Sequence, residues 1–198
     1  MKIFLKTFAA GLLAMSVCVN LCFSQALSPA ATKLKTAYVQ LKIYPGAKPK
    51  QLAYLKAFPQ NKQQFTEIFD PSNFGQLYKN SLEYINSFFG LAQNYPDEIM
   101  EKSINLGKNM EWRADAIGFL QNGIMELATQ RTQLFATKVK ALPVHDIDNL
   151  IKFLADEEGI KNDLQYQHLI DILRKHGDSG LADKFVAART AREKEKDH

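Results

Sequence analysis

The stretch "NFGQLYKNSLEYINSFFGLAQNYP", residues 73–96, carries the clearest helical pattern of this chain. Its apolar side chains recur every three or four residues, so on a helix they form one continuous stripe, while the opposite face is polar. The stripe consists of Phe74, Leu77, Tyr78, Ser81, Leu82, Ile85, Phe88, Phe89 and Ala92. Ser81 is its only polar member. The pattern predicts one amphipathic helix along the stretch.

Segments with the same period lie on both sides of this stretch. Helix caps are predicted at Ser28 and Asn61 before it, and at Asp146 and either Asn162 or Asp163 after it. No run of alternating polar and apolar residues predicts a strand. The sequence therefore indicates an all-α fold. We expect a compact bundle of about seven to nine helices, with a short α-solenoid as the alternative.

A long segment without proline runs from Asn109 to Leu142. It predicts one long helix or two helices in line. Gly118 and Gly123 lie within it, where each costs about 1 kcal/mol relative to alanine. We expect these two glycines to allow close helix packing or a bend. The last residues, 190–198, are highly charged and are expected to form a frayed tail.

The first 26 residues have the pattern of a secretory signal peptide. Lys2 and Lys6 precede an apolar run that is shorter than the roughly 20 residues of a membrane span, and a small-x-small site ends at Ala26. Cleavage there would remove both cysteines and leave one helical domain over 27–198 without a membrane span, located in the periplasm or secreted. The alternatives are an uncut leader that tethers the chain and a lipid anchor on Cys22, although Leu21 fits the lipoprotein pattern poorly.

Residues 27–66, here called the basic segment, contain seven lysines and no acidic residue. The lysines are Lys33, Lys35, Lys42, Lys48, Lys50, Lys56 and Lys62. Such asymmetry is typical of a contact with an anionic surface, or of a basic arm that lies against an acidic part of the same protein. The absence of arginine argues against bidentate phosphate recognition and against a specific nucleic-acid partner. Lys35, Lys42, Lys50 and Lys56 are the binding residues that we predict here.

A second candidate surface lies in "EWRAD", residues 111–115, where charged residues flank the only tryptophan of the chain. Trp112 with Arg113 would suit a ligand-stacking surface or the centre of a protein interface. The competing interpretation is that Trp112 anchors the start of the long helical segment in the core, as most large aromatic side chains do.

The motif "HDID" offers weak candidates for metal ligands, namely His145, Asp146 and Asp148. The competing interpretation is a helix N-terminus, where acidic side chains are favoured by the helix dipole. The ligand spacing of helical zinc sites is absent. The sequence also lacks a nucleophile elbow, a zinc-protease motif, a phosphate loop and a dinucleotide fingerprint. We therefore expect a protein without catalytic activity and without a cofactor.

These observations predict an extracytoplasmic helical protein that acts by binding, with an envelope protein or an anionic surface as its partner. One alternative is a carrier that holds a small apolar ligand between its helices. The cavity would be lined by Phe74, Tyr78, Phe88, Phe89, Phe119 and Phe135. The other alternative is a metal-assisted hydrolase that uses His145 and the acidic residues beside it.

Overall fold

A computed structural model describes residues 26–71, 77–111, 115–156 and 160–196. Ten α-helices and two short 3-10 turns account for the regular structure of these ranges, which contain no strand. The helices are α1 (Pro29–Ile43), α2 (Lys48–Ala57), α3 (Lys62–Phe69), α4 (Ser81–Gly90), α5 (Pro96–Gly107), α6 (Asp115–Gln130), α7 (Thr132–Lys140), α8 (Val144–Ala155), α9 (Ile160–Lys175) and α10 (Ser179–Lys196). The predicted all-α fold is confirmed, with more helices than the expected seven to nine.

Residues 1–25 of the predicted leader, with both cysteines, lie outside the described residues. Among the helices of the described ranges, none combines the length and the apolar character needed to cross a bilayer.

Helix α6 occupies the centre of the molecule. It packs against α4, α5, α7, α8 and α9, and apolar side chains along it are buried on several sides. Helix α10 covers α8 and α9, while α1 packs on α2 and α3 at the other end. The buried side chains form one continuous cluster from Ala31 in α1 to Phe185 in α10. Because one helix is surrounded by five others, the arrangement is that of a bundle, whereas solenoid units contact only their neighbours in sequence.

Aromatic contacts join the three N-terminal helices to α4. The ring of Phe58, at the end of α2, stacks on that of Phe88 with centroids 4.0 Å apart and planes inclined by 6°. The buried hydroxyl of Tyr54 donates a hydrogen bond of 2.7 Å to the main-chain oxygen of Tyr84. On the outer side of this contact, the Tyr38 hydroxyl donates to Glu83 at 2.9 Å. The basic segment is thereby fixed to the body of the protein.

Helix α4 is shorter than the opening stretch predicts. It covers Ser81–Gly90, with 3-10 turns at Tyr78–Asn80 and Leu91–Gln93. The predicted stripe is wrong at Leu82, which is 46% exposed, whereas Tyr84, which is not a member of that stripe, is buried. The reason is that α4 is covered from two directions, by α6 and by the Tyr38 ring of α1, whose centroid lies 4.4 Å from that of Tyr84. Phe74 lies outside the described residues.

The long segment without proline forms two helices, α6 and α7. Arg131 interrupts them with non-helical dihedral angles, φ −131° and ψ 47°. The buried hydroxyl of Thr132 donates a hydrogen bond to the main-chain carbonyl of Thr129 at 3.0 Å. At the break, this carbonyl therefore has a side-chain donor. The segment therefore contains two helices rather than one.

The predicted starts of the last helices are displaced by a few residues. Helix α8 begins at Val144 with Pro143 at its N-cap, so the prediction that Asp146 is the cap is wrong. The carboxylate of Asp146 instead pairs with the ammonium of Lys108, the residue that follows α5, at 2.7 Å. This ion pair links the start of α8 to the end of α5. Helix α9 begins at Ile160 rather than after Asn162 or Asp163. The charged C-terminal residues continue α10 to Lys196, where frayed chain was expected.

Lys102 of α5 ties the end of α2 to the core. Its Nζ donates to the main-chain oxygens of Leu55 and Phe58, the latter at 3.1 Å. Burial lowers the pKa of the Lys102 ammonium from its usual 10.5 to about 8. A neutral amine retains two N–H donors, one for each carbonyl, and donates more weakly than an ammonium. Deprotonation therefore removes a buried charge and preserves both hydrogen bonds.

Lys102→Met is expected to lower the free energy of unfolding by about 2 kcal/mol at pH 7, because two part-buried carbonyls lose their donor. The deficit should widen by about 1 kcal/mol at pH 9.5. Between about pH 8 and 10.4 the unfolded chain still binds a proton at Lys102 that the folded chain has released, so stability in the wild type rises with pH. Urea unfolding at the two pH values measures both effects. A deficit that narrows at pH 9.5 would contradict the proposed titration, and exposed Lys79→Met serves as the control.

Candidate functional site

The basic segment presents its lysines from the outer faces of α1 and α2. In α1 the buried positions are Ala31, Leu34, Ala37 and Leu41. Lys35 and Lys42 lie two turns apart on the exposed side, next to Val39 and Ile43. In α2 the exposed side carries Lys48, Leu52 and Lys56 at intervals of one turn. Both helices thus combine ammonium groups with apolar side chains on the surface that faces solvent.

Most of these lysines lack a partner of opposite charge. Within the described residues, the only ion pair of the basic segment joins Lys62 to Glu111, with a separation of 3.5 Å. No described carboxylate lies within the 4.0 Å ion-pair limit of the other six ammonium groups. By contrast, Lys108, Lys138 and Lys184 elsewhere in the chain each reach an acidic side chain. Among the described residues, the seven lysines of the basic segment thus make one ion pair with the rest of the protein, which argues against a basic arm held by acidic side chains.

The start of α2 is electrostatically unfavourable for the helix itself. Lys48 and Lys50 lie in its first turn, where the positive end of the helix dipole repels cations. The N-cap residue Ala47 supplies no side-chain acceptor, and no acidic residue offsets the charge there. These lysines therefore contribute nothing to helix stability, which is the situation expected of side chains that serve a contact.

Four large apolar side chains are exposed in this region, Val39, Ile43, Tyr44 and Leu52, at 44% to 57%. Ile43 and Tyr44 stand at the end of α1, immediately before the turn that leads to α2. The Lys50 ammonium lies 6.0 Å from the centre of the Tyr44 ring, so charge and apolar surface are adjacent. Cationic groups beside exposed aliphatic and aromatic groups are typical of surfaces that dock on the membrane interface.

The other predicted site residues are not brought together. Trp112 and Arg113 lie outside the described residues. Of the three candidate metal ligands, Asp146 pairs with Lys108, and Asp148 pairs with Lys184 at 2.7 Å. The remaining one, His145, lies 3.1 Å from the side-chain amide of Asn149. In the described ranges no group of three or more His, Cys, Asp or Glu side chains is arranged to hold a metal ion.

A groove with a volume of about 830 Å³ lies between α4 and α6 and reaches α9. Its apolar lining includes Leu82, Phe89 and Phe119, and its polar lining is dominated by carboxamides. The carboxamides are those of Asn86, Gln93, Asn122, Gln130 and Gln165. A β-carbon on Gly123 would stand 2.0 Å from the Phe89 ring, so this glycine permits the close packing that the sequence predicts.

The aromatic residues expected to line a carrier cavity are divided between two environments. Phe88 and Phe135 are fully buried against other rings, those of Phe58 and Phe185. Of the described members of the expected set, only Phe89 and Phe119 line the groove. The amide residues are not recognisable as a site from the sequence, because on each helix separately they have the pattern of a solvent-exposed face.

Comparisons with protein-family models, with curated proteins and with solved structures give no match for this chain. The chemistry of these two surfaces therefore provides the basis for a functional proposal.

Proposed function

We propose that this chain is an exported, non-catalytic helical protein that binds the anionic surface of a lipid bilayer through the basic segment. The observation that carries the proposal is the group of six lysines that have no carboxylate partner among the described residues, next to exposed Ile43, Tyr44 and Leu52. The signal-peptide pattern of residues 1–26 supports export. The competing proposal is that the basic segment binds a partner protein with an acidic surface.

Two contributions support binding of this kind. Each lysine near an anionic membrane contributes about 1 kcal/mol through long-range attraction that salt screens. The exposed side chains at the end of α1 add apolar area that leaves water when they enter the headgroup region. Lysine suits this role because a point charge on a flexible stem needs no fixed phosphate geometry.

The test is co-sedimentation of the purified protein with vesicles of phosphatidylcholine containing about one third phosphatidylglycerol. The variant with Lys35, Lys42, Lys50 and Lys56 all changed to Gln is expected to bind at least ~30-fold more weakly, because attraction from several lysines is lost. Ile43→Ser should weaken binding at high salt more than the lysine variant does, since salt screens charge but not apolar contact.

The matched control changes Lys79, Lys152, Lys175 and Lys194 to Gln. These four exposed lysines lie outside the basic segment, and their replacement lowers the net charge by the same amount. Equal loss of binding in the two quadruple variants would show an effect of overall charge and would contradict a defined surface. Binding to vesicles of phosphatidylcholine alone, at the same strength, would likewise exclude an anionic target.

A further inference from the structure

The groove between α4 and α6 contains hydrogen-bonding groups that the protein does not use. Asn86, Gln93, Asn122 and Gln165 make no side-chain hydrogen bond with other described residues. Gln130 donates to Glu126 at 3.0 Å and retains its carbonyl oxygen as a free acceptor. Each carboxamide offers both a donor and an acceptor, so the groove presents the two in similar numbers.

The groove has almost no net charge. Of the described residues that line it, Glu126 and Arg131 are the only ones with ionisable side chains, and their charges are opposite. The groove therefore offers no net opposite charge to balance that of a strongly charged ligand. The complementary ligand is uncharged and carries its own donors and acceptors in pairs.

The spacing of the polar residues on α6 further narrows the class of ligand that fits the groove. Asn122, Glu126 and Gln130 follow one another at intervals of four residues, which places them about 6 Å apart along the helix axis. In an extended peptide, groups that point the same way repeat about every 6.6 Å. From Phe119 to Arg131 the helix offers ~18 Å of groove wall, enough for five or six extended residues.

The aromatic side chains favour a peptide over a sugar. A sugar ring stacks on an aromatic face that is open to the ligand. The Phe89 ring packs so closely on Gly123 of α6 that a β-carbon there would stand 2.0 Å from it, and the ring meets that of Phe88 edge-on at 5.1 Å. Phe89 therefore forms an apolar wall that suits aliphatic side chains, together with the exposed Leu82.

From these observations we infer that the groove between α4 and α6 binds an extended, uncharged peptide segment of a partner protein. The carboxamides of Asn86 and Asn122 pair with peptide N–H and C=O groups of the ligand, one from each wall. Leu82 and Phe89 contact apolar side chains of the same segment. This site is separate from the basic segment in position and in ligand chemistry.

The probe is an array of capped hexapeptides that contain no charged residue, followed by titration of the strongest binder into 15N-labelled full chain. The side-chain NH2 resonances of Asn86 and Asn122 are expected to shift, and Asn86→Ala and Asn122→Ala should each weaken binding about tenfold. Both positions are on helix surfaces where alanine favours the helix, so the variants should fold. Gln133→Ala, which removes an exposed amide from α7, is the matched control and should leave the affinity unchanged.

Three results would overturn the inference. The first is that no uncharged hexapeptide binds at millimolar concentration, with circular dichroism showing a folded protein. The second is that a peptide binds but neither asparagine variant weakens it. The third is that neutral oligosaccharides, presented on a parallel array, bind to these amides and the peptides do not. The quadruple lysine variant should lose vesicle binding and still bind the peptide. Failure of the proposed membrane binding can therefore be distinguished from failure of the proposed peptide binding.

Discussion

Phe58→Ala is expected to lower the free energy of unfolding by ~3–5 kcal/mol, the largest loss that we expect from one side chain in the N-terminal half. Phe58 is fully buried, and its ring stacks on Phe88 while also meeting Tyr54 and Phe69. Removal of the ring costs transfer free energy and leaves a cavity where α2 meets α4. The aromatic pair adds about 0.5–1.5 kcal/mol beyond the buried area.

Urea unfolding at pH 7 measures this loss. Phe88→Ala should cost a similar amount, and the double variant should cost less than the sum, because the stacked pair is lost only once. Leu52→Ala is the control on the same helix, since its side chain is 44% exposed and should change stability by less than about 0.5 kcal/mol. A loss below ~1.5 kcal/mol for Phe58→Ala would mean that the N-terminal helices are not held by this contact.

The double variant Tyr54→Phe/Tyr166→Phe is expected to be less stable than the wild type by ~2 kcal/mol at pH 7 but more stable at pH 11.5. Both hydroxyls are buried and donate to main-chain oxygens at 2.7 Å, that of Tyr54 to Tyr84 and that of Tyr166 to Phe185. Each hydrogen bond contributes about 1 kcal/mol, which the variant lacks at neutral pH. Burial also raises the pKa of both phenols well above the usual value of 10.

The change in the sign of the stability difference between pH 7 and pH 11.5 follows from proton binding by the two tyrosines. Above pH 10 the tyrosines of the unfolded chain ionise, whereas in the folded chain both phenols keep their protons until the pH reaches their raised pKa values. Stability that is fully present below pH 10 is therefore lost as the pH rises, by roughly 1.4 kcal/mol per pH unit for each tyrosine. Urea unfolding at pH 7, 10 and 11.5 tests this. Parallel pH profiles of wild type and variant would refute it, and Tyr44→Phe, at a ring that is 54% exposed, is the control.

Local sequence signals were sufficient to predict the fold class and several helix starts. The Ser28 side chain accepts from the main-chain N–H of Ala31 at 3.2 Å, and that of Asn61 accepts from Gln64 at 3.0 Å, as caps do. The length of α4 and the burial of Tyr84 could not be predicted in this way. They depend on α1 and α6, which lie far from α4 in sequence.

The same distinction applies to the candidate sites. The lysines of the basic segment are detectable because they lie within one stretch of sequence that contains no acidic residue. That six of them make no ion pair with a described carboxylate depends on where the acidic residues of other helices are placed. The groove between α4 and α6 is lined by residues from 82–93 and 119–131 and by residue 165, so no single window of sequence contains it.

The central position of α6 has a consequence for the synthesis of the protein. The ribosome completes α4 and α5 before it has made residue 115, where their shared partner begins. Until α6 has been made, the faces of these two helices that it buries lack their cover. The nascent chains most in need of a chaperone are therefore those from which α4 and α5 have emerged and α6 has not, because exposed apolar surface of this kind promotes aggregation.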